Sequence, residues 1–398
     1  MKTTSPLAQR CPRVLFAGVC AVFVTASVQA AAPPAPRVVD TPYVILACND
    51  LGMHCMNSDF SEMMVLPPFN TLHAQIIRRS GEEPDIITGG VTVRYTIPGN
   101  THGADKSNFW NYWQPIFGLP APPDFGLAGL GLSGTMSPTG HNDWNAVGIP
   151  LVPIDDTGRE NPYPLATLTV LSGSTVQART QVVVPVSTEM SCFICHNTPG
   201  ISTATDILRA HDRLHGTTLE QQKPVLCASC HADNALGLPG EPGVSNLSAA
   251  MHTAHAPRMG PAGNLTEVCY ACHPGVRTQC QRDVHLANGM TCTQCHGNMV
   301  AVGNPAREPW VDEPRCGTCH ARPGFEFEQP NTLYRDSVGH KNVHCYACHG
   351  SPHAITPTVT PLDNIQANYV QGHPGTIDTC TVCHSGGPPG GFFHKRDD

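Results

Sequence analysis

Seven copies of one five-residue motif, Cys-x-x-Cys-His, lie in the second half of this 398-residue chain. Two thiols three residues apart, with an imidazole directly after the second, form the attachment signature of c-type haem. The thiols add across the vinyl groups of the porphyrin, and the histidine takes one axial position on the iron. The sequence therefore predicts seven covalently attached haem c groups, each bound by two cysteines and one proximal histidine: Cys192, Cys195 and His196; Cys227, Cys230 and His231; Cys269, Cys272 and His273; Cys292, Cys295 and His296; Cys316, Cys319 and His320; Cys345, Cys348 and His349; Cys380, Cys383 and His384.

A bare Cys-x-x-Cys pair has two other common uses. It can act as a redox dithiol or supply half of a zinc site. Neither use requires the histidine that follows the second cysteine in all seven copies. Haem attachment is therefore the favoured interpretation, and seven irons on one polypeptide indicate a path for single electrons.

The second axial ligand decides whether a haem iron only relays electrons or can also bind a substrate. The motifs use seven of the 21 histidines, and ten of the remaining fourteen lie in the same half of the chain. This supply predicts bis-histidine ligation at most irons. The predicted distal ligands are His211, His215, His252, His255, His285, His340 and His353, with His344 and His373 in reserve.

The fourth motif leaves more than one choice of distal ligand. No histidine lies between His296 and Cys316, and Met299 follows the motif closely. Methionine ligation would raise the potential of that haem, although a packing role for Met299 is the simpler interpretation. A distant histidine or an open position are the other choices.

The N-terminal residues resemble a secretory signal peptide. Lys2, Arg10 and Arg13 precede an apolar run over 14–26, and small residues end the segment near Ala30. This pattern predicts cleavage of residues 1–30 and export to the periplasm, the cell surface or beyond. Cleavage would change the formal charge from −8 to −11, which disfavours nucleic acid and anionic membranes as partners. No later stretch approaches the length of a membrane span.

Two parts of different composition follow the leader. Residues 31–188 show short alternating runs rich in β-branched residues at 43–47, 71–78, 91–97, 165–171 and 176–186, which predicts an all-β, sandwich-like domain. Residues 110–144, rich in glycine, proline and aromatics, are expected to form a long ordered loop. Residues 189–398 are predicted to form a mostly helical and irregular seven-haem domain, with helices at 205–214 and 247–256. There the haems would supply most of the apolar interior.

The stretch 292–357 carries more than bare motifs. In order it contains Cys295-His296-Gly297-Asn298-Met299, Arg307-Glu308-Pro309-Trp310, Leu333-Tyr334-Arg335, Gly339-His340 and Cys348-His349-Gly350-Ser351-Pro352-His353-Ala354. These residues resemble the secreted multihaem cytochromes of metal-reducing bacteria, some of which polymerise into extracellular filaments. The resemblance spans 189–398. It implies close haem pairs, distal histidines outside the motifs, and His340 and His353 as the best distal choices. The β-rich domain and the count of seven haems depart from that family.

The N-terminal half has its own cluster of soft ligands, Cys48, His54 and Cys55. In an oxidising compartment a Cys48–Cys55 disulfide is the plainest interpretation, with Cys280 left as a free thiol. A metal site, such as one for copper, is a second interpretation. Alternatively, a histidine from this half could be the distal ligand of the first haem; the choices are His54, His73, His102 and His141.

The sequence as a whole predicts an exported electron carrier rather than an enzyme, so no catalytic residue is assigned. Its partners would be redox proteins or an extracellular acceptor, in periplasmic-to-extracellular respiration, with self-association into a filament as one form. The alternative is a multihaem reductase of a small oxyanion or of a nitrogen or sulfur compound. Such an enzyme needs one haem with an open distal position.

Overall fold

The computed structural model describes residues 41–80, 83–259, 267–321, 323 and 328–386. The predicted leader, residues 1–30, lies outside the described residues. The residues that are described belong to one compact unit, so the change in composition near residue 188 marks a change of secondary structure within it.

The first half is rich in strands. Its elements are β1 (Tyr43–Asn49), β2 (His54–Cys55), β3 (Met63–Met64), β4 (Asn70–Arg78), β5 (Asp85–Ile86), β6 (Thr92–Thr96), helix α1 (Phe109–Phe117), β7 (Ser133–Thr135), β8 (Ser137–Pro138), β9 (Trp144–Ile149), β10 (Leu165–Ser172), β11 (Thr175–Val183) and β12 (Val186–Ser187). The five predicted strand regions all coincide with observed strands.

Two antiparallel sheets hold the main core between them. The first has the order β1-β4-β9-β8 with β5 beside β4, and the second has the order β11-β10-β6-β7. In β10 buried and half-buried residues alternate, as expected for a strand with one face on a core. Both sheets contribute apolar side chains to one cluster, including Ile45, Leu72, Ile76, Val93, Leu168 and Val170.

The outer face of the first sheet is covered as well. Val44, Leu46 and Cys48 of β1 pack in a second apolar cluster with Tyr346, Ala347, Ala367 and Val382 from the second half. Gln366 joins the same contact, because its side-chain amide bonds the backbone of Ala47 in both directions, at 2.8 and 3.1 Å. The first sheet therefore supports the second half of the chain.

The expected loop at 110–144 is wrong in part, because helix α1 and strands β7 and β8 lie within or across it. Phe109, Trp113 and Phe117 recur at helical spacing, and the rings of neighbours in this series have centroids 5.3 and 5.1 Å apart. The helix ends at Gly118, whose φ of 75° suits glycine. Aromatic packing therefore stabilises a helix that the glycine and proline content obscured.

The second half consists of short helices and turns. Its elements are α2 (Thr203–His215), β13 (Val225–Leu226), α3 (Leu247–His255), α4 (Val284–Ala287), α5 (Cys292–His296), α6 (Met299–Val302), α7 (Cys316–His320), α8 (Cys345–His349), β14 (Gly350–Ser351), β15 (Ala354–Ile355) and α9 (Ile365–Gln371). The predicted helices at 205–214 and 247–256 correspond to α2 and α3. Each begins at a capping side chain, Ser202 and Asn246 respectively.

Glu189, which lies just before the first Cys-x-x-Cys-His motif, binds the loop over 276–278. Its buried carboxylate accepts hydrogen bonds from the backbone N–H groups of Val276 at 2.9 Å and Arg277 at 3.1 Å, and from that of Thr278. Burial disfavours the charge, but these donors hold the pKa of Glu189 below its usual value. The ionised form is therefore the one that stabilises the fold.

We expect Glu189→Gln to lower the free energy of unfolding by about 1–3 kcal/mol at neutral pH, because an amide N–H₂ would face N–H donors. A carboxylate whose pKa is lower in the folded protein than in the unfolded chain stabilises the fold at pH values above the unfolded pKa, about 4.3 for glutamate. This stabilisation is lost as pH falls through the folded pKa. Melting temperatures of both proteins between pH 7 and pH 3 test this. A difference that stays constant at low pH would contradict the role of the charge.

Candidate functional site

The seven motifs are numbered here as sites 1 to 7 in chain order. Sites 4, 5 and 6 are single α-helical turns, and sites 1, 2, 3 and 7 contain 3-10 turns. At those four sites the histidine N–H donates to the carbonyl of the first cysteine, at 2.9, 3.1, 2.9 and 2.9 Å. Residues i, i+3 and i+4 of such a turn share one face. Each turn can therefore present both thiols and the imidazole to one planar ligand.

Six of the motif histidines each face a histidine from outside the motifs. The pairs and their ring-centroid distances are His196–His255 at 6.3 Å, His231–His211 at 6.3 Å, His273–His252 at 6.2 Å, His296–His353 at 5.9 Å, His320–His285 at 6.0 Å and His384–His340 at 6.2 Å. The structure thus brings six of the predicted distal residues to six different motifs.

These distances fit two imidazoles on opposite sides of one metal ion. With metal–nitrogen bonds of about 2 Å and each ring centroid about 1.1 Å behind its nitrogen, the centroids are about 6.2 Å apart. Direct ring packing ranges more widely, over about 4.5–7 Å. The six distances differ by 0.4 Å at most, while the interplanar angles run from 16° to 84°. A nearly constant distance with a variable angle is compatible with two imidazoles that share one metal ion.

The second nitrogen of several distal imidazoles is already bonded. Nδ1 of His252 lies 2.7 Å from the Ser248 carbonyl, and Nδ1 of His255 lies 2.6 Å from the Met251 carbonyl. Because a carbonyl only accepts, Nδ1 carries the proton and Nε2 is left with a free lone pair. Such contacts are typical of metal-ligating histidines, since they fix both the tautomer and the ring orientation.

Burial favours the neutral imidazole at several of these positions. It lowers the pKa of His273 and of His296 to about 4, and neighbouring histidines add to the effect. The pKa values of His196, His211 and His252 are lowered for the same first reason. A neutral imidazole is the form that binds a metal, so the lowered pKa values of these five histidines suit metal binding at neutral pH. His353 differs, because burial disfavours its charge but the neighbouring Cys280 raises its pKa to about 9.

Three other predicted distal residues lie elsewhere. His215 is exposed, and its ring lies beside His211 at 4.8 Å. His344 is buried, and its Nε2 donates to the His141 carbonyl at 2.7 Å. His373 is exposed beside Asp378. At site 4 the facing residue is His353, while Met299 begins helix α6.

The thiols show which sites are neighbours. Cys272 of site 3 interacts electrostatically with both cysteines of site 1, and Cys269 of site 3 interacts in the same way with Cys292 of site 4. The pairs that connect sites 4 to 5, 5 to 6 and 6 to 7 are likewise close enough to interact: Cys295 and Cys319, Cys316 and Cys345, and Cys348 and Cys383. Sites 1, 3, 4, 5, 6 and 7 are therefore consecutive neighbours.

Helix α2 connects site 2 to site 1. It carries His211, which faces site 2, and Asp206, which interacts electrostatically with His196 of site 1. Helix α3 similarly joins sites 1 and 3, because it carries both His255 and His252. The sites thus follow the order 2–1–3–4–5–6–7, which we call the site row.

Site 6 is anchored to the first sheet. Tyr346, inside its motif, donates from its hydroxyl to Asp143 at 3.2 Å, and His73 of β4 contacts the same carboxylate oxygen at 2.8 Å. Burial opposes the charge of Asp143, but its bonds with His73 and Thr139 keep the pKa of its carboxyl below the usual value. Sequence reasoning missed this network, because His73 and Asp143 are more than 200 residues from the motif that they support.

The cysteines outside the motifs do not pair as expected. Cys48 lies in β1 and Cys55 in β2, and both are free thiols, as is Cys280. The expected Cys48–Cys55 disulfide is therefore absent. Instead Cys55 interacts with Cys280, and Nε2 of His54 contacts Asp50 at 3.1 Å. His54 is thus engaged locally, and His196 of site 1 faces His255.

The donor sets suit haem better than zinc. Within the described ranges, no three His, Cys, Asp or Glu side chains form a group that could hold a metal ion by themselves. A structural zinc needs four such ligands. Two facing imidazoles with thiols alongside leave the other positions on the metal for a ligand such as a porphyrin. The residues present therefore fit the predicted haems.

Comparison with known proteins identifies no relative: no family model, no curated protein and no solved structure matches this chain. Among the helices that the structure describes, none is long and apolar enough to cross a membrane.

Proposed function

We propose that the protein is a seven-haem c-type cytochrome that passes single electrons along the site row. The observation that carries this proposal is the set of six histidine pairs with centroids 5.9–6.3 Å apart. Six coincidences of this kind, each involving the histidine of a different motif, are difficult to explain by ring packing alone.

The chain's own residues have separable roles in this proposal. The motif cysteines would hold each haem covalently, and the motif histidines would supply one iron ligand each. His255, His211, His252, His353, His285 and His340 would supply the second ligand at sites 1, 2, 3, 4, 5 and 7. Bound haem would supply an iron that alternates between the ferric and ferrous states. Two histidines per iron would keep small molecules away from it.

The distribution of apolar residues supports cofactor loading of the second half. The main core draws its buried residues from the strand-rich half, and the second cluster lies where the two halves meet. Several motif cysteines, including Cys195, Cys230, Cys272, Cys295 and Cys319, are exposed. Haem bound there would cover these thiols and provide the apolar interior that the protein atoms alone do not form.

The physiological role that we propose is exported electron transfer, from periplasmic partners towards an extracellular acceptor. Support comes from the leader-like N-terminus and from the resemblance of 189–398 to secreted multihaem cytochromes. Assembly into a filament remains part of the proposal only through that resemblance.

The electron paramagnetic resonance spectrum of the purified, fully oxidised protein tests the proposal against a reductase. Integrated against total haem, it should show essentially all iron as low-spin, because sites 1, 2, 3, 4, 5 and 7 have two facing histidines and an electron carrier also needs a six-coordinate iron at site 6. A high-spin signal near one haem per chain would reveal an open iron and favour the reductase. A protein without haem would refute both.

A further inference from the structure

Asp283 is a buried carboxylate between two neighbouring sites. It is 4% exposed, and its Oδ2 lies 2.9 Å from Nδ1 of His285, the distal residue of site 5. Its other oxygen accepts the backbone N–H of Leu286 at 3.0 Å, which orients the carboxylate at the start of α4. The contact with His285 is therefore built into the fold.

At sites 1 to 4, Nδ1 of the distal histidine contacts a group other than a carboxylate. At sites 1 and 3 the acceptor is a backbone carbonyl, and at site 2 it is the hydroxyl of Thr217, 2.9 Å from His211. At site 4, Nδ1 of His353 lies 3.7 Å from the Cys280 sulfur and 3.4 Å from the Leu51 carbonyl. Among these five, only His285 is bonded directly to a carboxylate.

The same carboxylate also influences site 4. Asp283 interacts electrostatically with His353 and with Cys295, both of which belong to that site. The opposing cation is Arg307, which is half-buried and acts on His252 of site 3 and His296 of site 4. The carboxylate of Asp283 thus acts on sites 5 and 4, and the guanidinium of Arg307 acts on sites 3 and 4.

We propose that Asp283 is a positioning residue that lowers the reduction potential of site 5 and, less strongly, that of site 4. A carboxylate on Nδ1 makes the imidazole a more basic ligand, and its charge favours ferric over ferrous iron. Sites 4 and 5 lie inside the site row, so the carboxylate makes two internal positions less favourable for an electron than they would be without it. This inference rests on the proposed haem function.

The first test compares the wild-type protein with Asp283→Asn at pH 7 in a spectroscopic redox titration. One haem should become easier to reduce, with its reduced-to-oxidised ratio at a fixed potential rising about tenfold, as expected for a lost charge-assisted hydrogen bond. A second haem should shift in the same direction by less. The low-spin resonance signal of one haem should change its g-values, which a purely structural role would not alter.

The matched control is Asp105→Asn. Asp105 makes the same kind of contact, Oδ1 to Nδ1 of His102 at 2.6 Å, but it is exposed and lies in the strand-rich half. This variant should leave all potentials unchanged. Asp283→Ser is the second variant, because serine can cap α4 without a charge and should shift site 5 in the same direction.

The outcomes separate this inference from the proposed function. Seven haems with unchanged potentials and g-values in both Asp283 variants would overturn the role of Asp283 and leave the cytochrome proposal standing. If neither variant folds, Arg307→Gln tests the same electrostatic argument, because loss of this cation should make one or two haems harder to reduce. An unchanged titration would show that charges at these positions do not set the potentials, which would overturn the role of Asp283. A wild-type protein without haem would refute the proposed function itself.

Discussion

Replacing His211 with alanine should convert one of the seven haems from low-spin to high-spin, whereas replacing His215 with alanine should convert none. Both histidines lie on α2, one helical turn apart. His211 faces His231 of site 2 at 6.3 Å, while His215 is exposed. Loss of an axial ligand leaves a five-coordinate or water-bound iron, and loss of a surface imidazole leaves the site intact.

The measurement is the high-spin signal of each oxidised variant, integrated against total haem. His215→Ala is a close control, because it removes the same side chain from the same helix. A high-spin signal in His215→Ala but not in His211→Ala would reverse the assignment at site 2. Equal low-spin spectra in both variants would show that His211 is not a ligand.

Replacing Asp363 with alanine should lower the free energy of unfolding by about 3–5 kcal/mol, because it leaves a buried arginine without its counter-ion. Arg282 is 0% exposed. Its Nε and Nη2 donate to the two carboxylate oxygens of Asp363 at 2.6 and 2.8 Å, and its Nη1 donates to the Gly52 carbonyl at 2.6 Å. This guanidinium therefore connects the strand-rich half to the second half.

Denaturant unfolding of the holoprotein, followed by circular dichroism, tests this prediction. Asp85→Ala is the control, because Asp85 pairs with Arg78 on the surface and should give no measurable change. The double variant Arg282→Met, Asp363→Leu should recover much of the loss, since apolar residues can replace a buried ion pair. An Asp363→Ala protein as stable as the wild type would contradict the proposed connection.

Local patterns predicted the strands and the longer helices well. The run over 44–48 is apolar without interruption, and in the structure β1 is buried on both faces, between the main core and the second apolar cluster. The end of α2 also follows local chemistry, because Gly216 has the left-handed conformation that ends a helix. Helix α1 was missed because the glycine and proline content of 110–144 obscured the helical spacing of Phe109, Trp113 and Phe117.

The pairing of histidines could not be predicted from spacing. His252 and His255 share one face of α3, yet they face sites 3 and 1 respectively. Spacing therefore indicates a common face, but the partner depends on how distant segments pack. The partner of His296 is His353, which lies two motifs further along the chain. Asp283 had a local signal, two residues before a histidine, but its burial is a tertiary property.

The most direct test of the central claim is the intact mass of the purified, fully denatured protein, combined with its dithionite-reduced absorption spectrum. We predict a polypeptide that keeps seven haem groups after unfolding, because thioether bonds survive denaturation, and sharp bands of reduced c-type haem. A polypeptide mass without haem, or one that loses its cofactors on unfolding, would contradict the account.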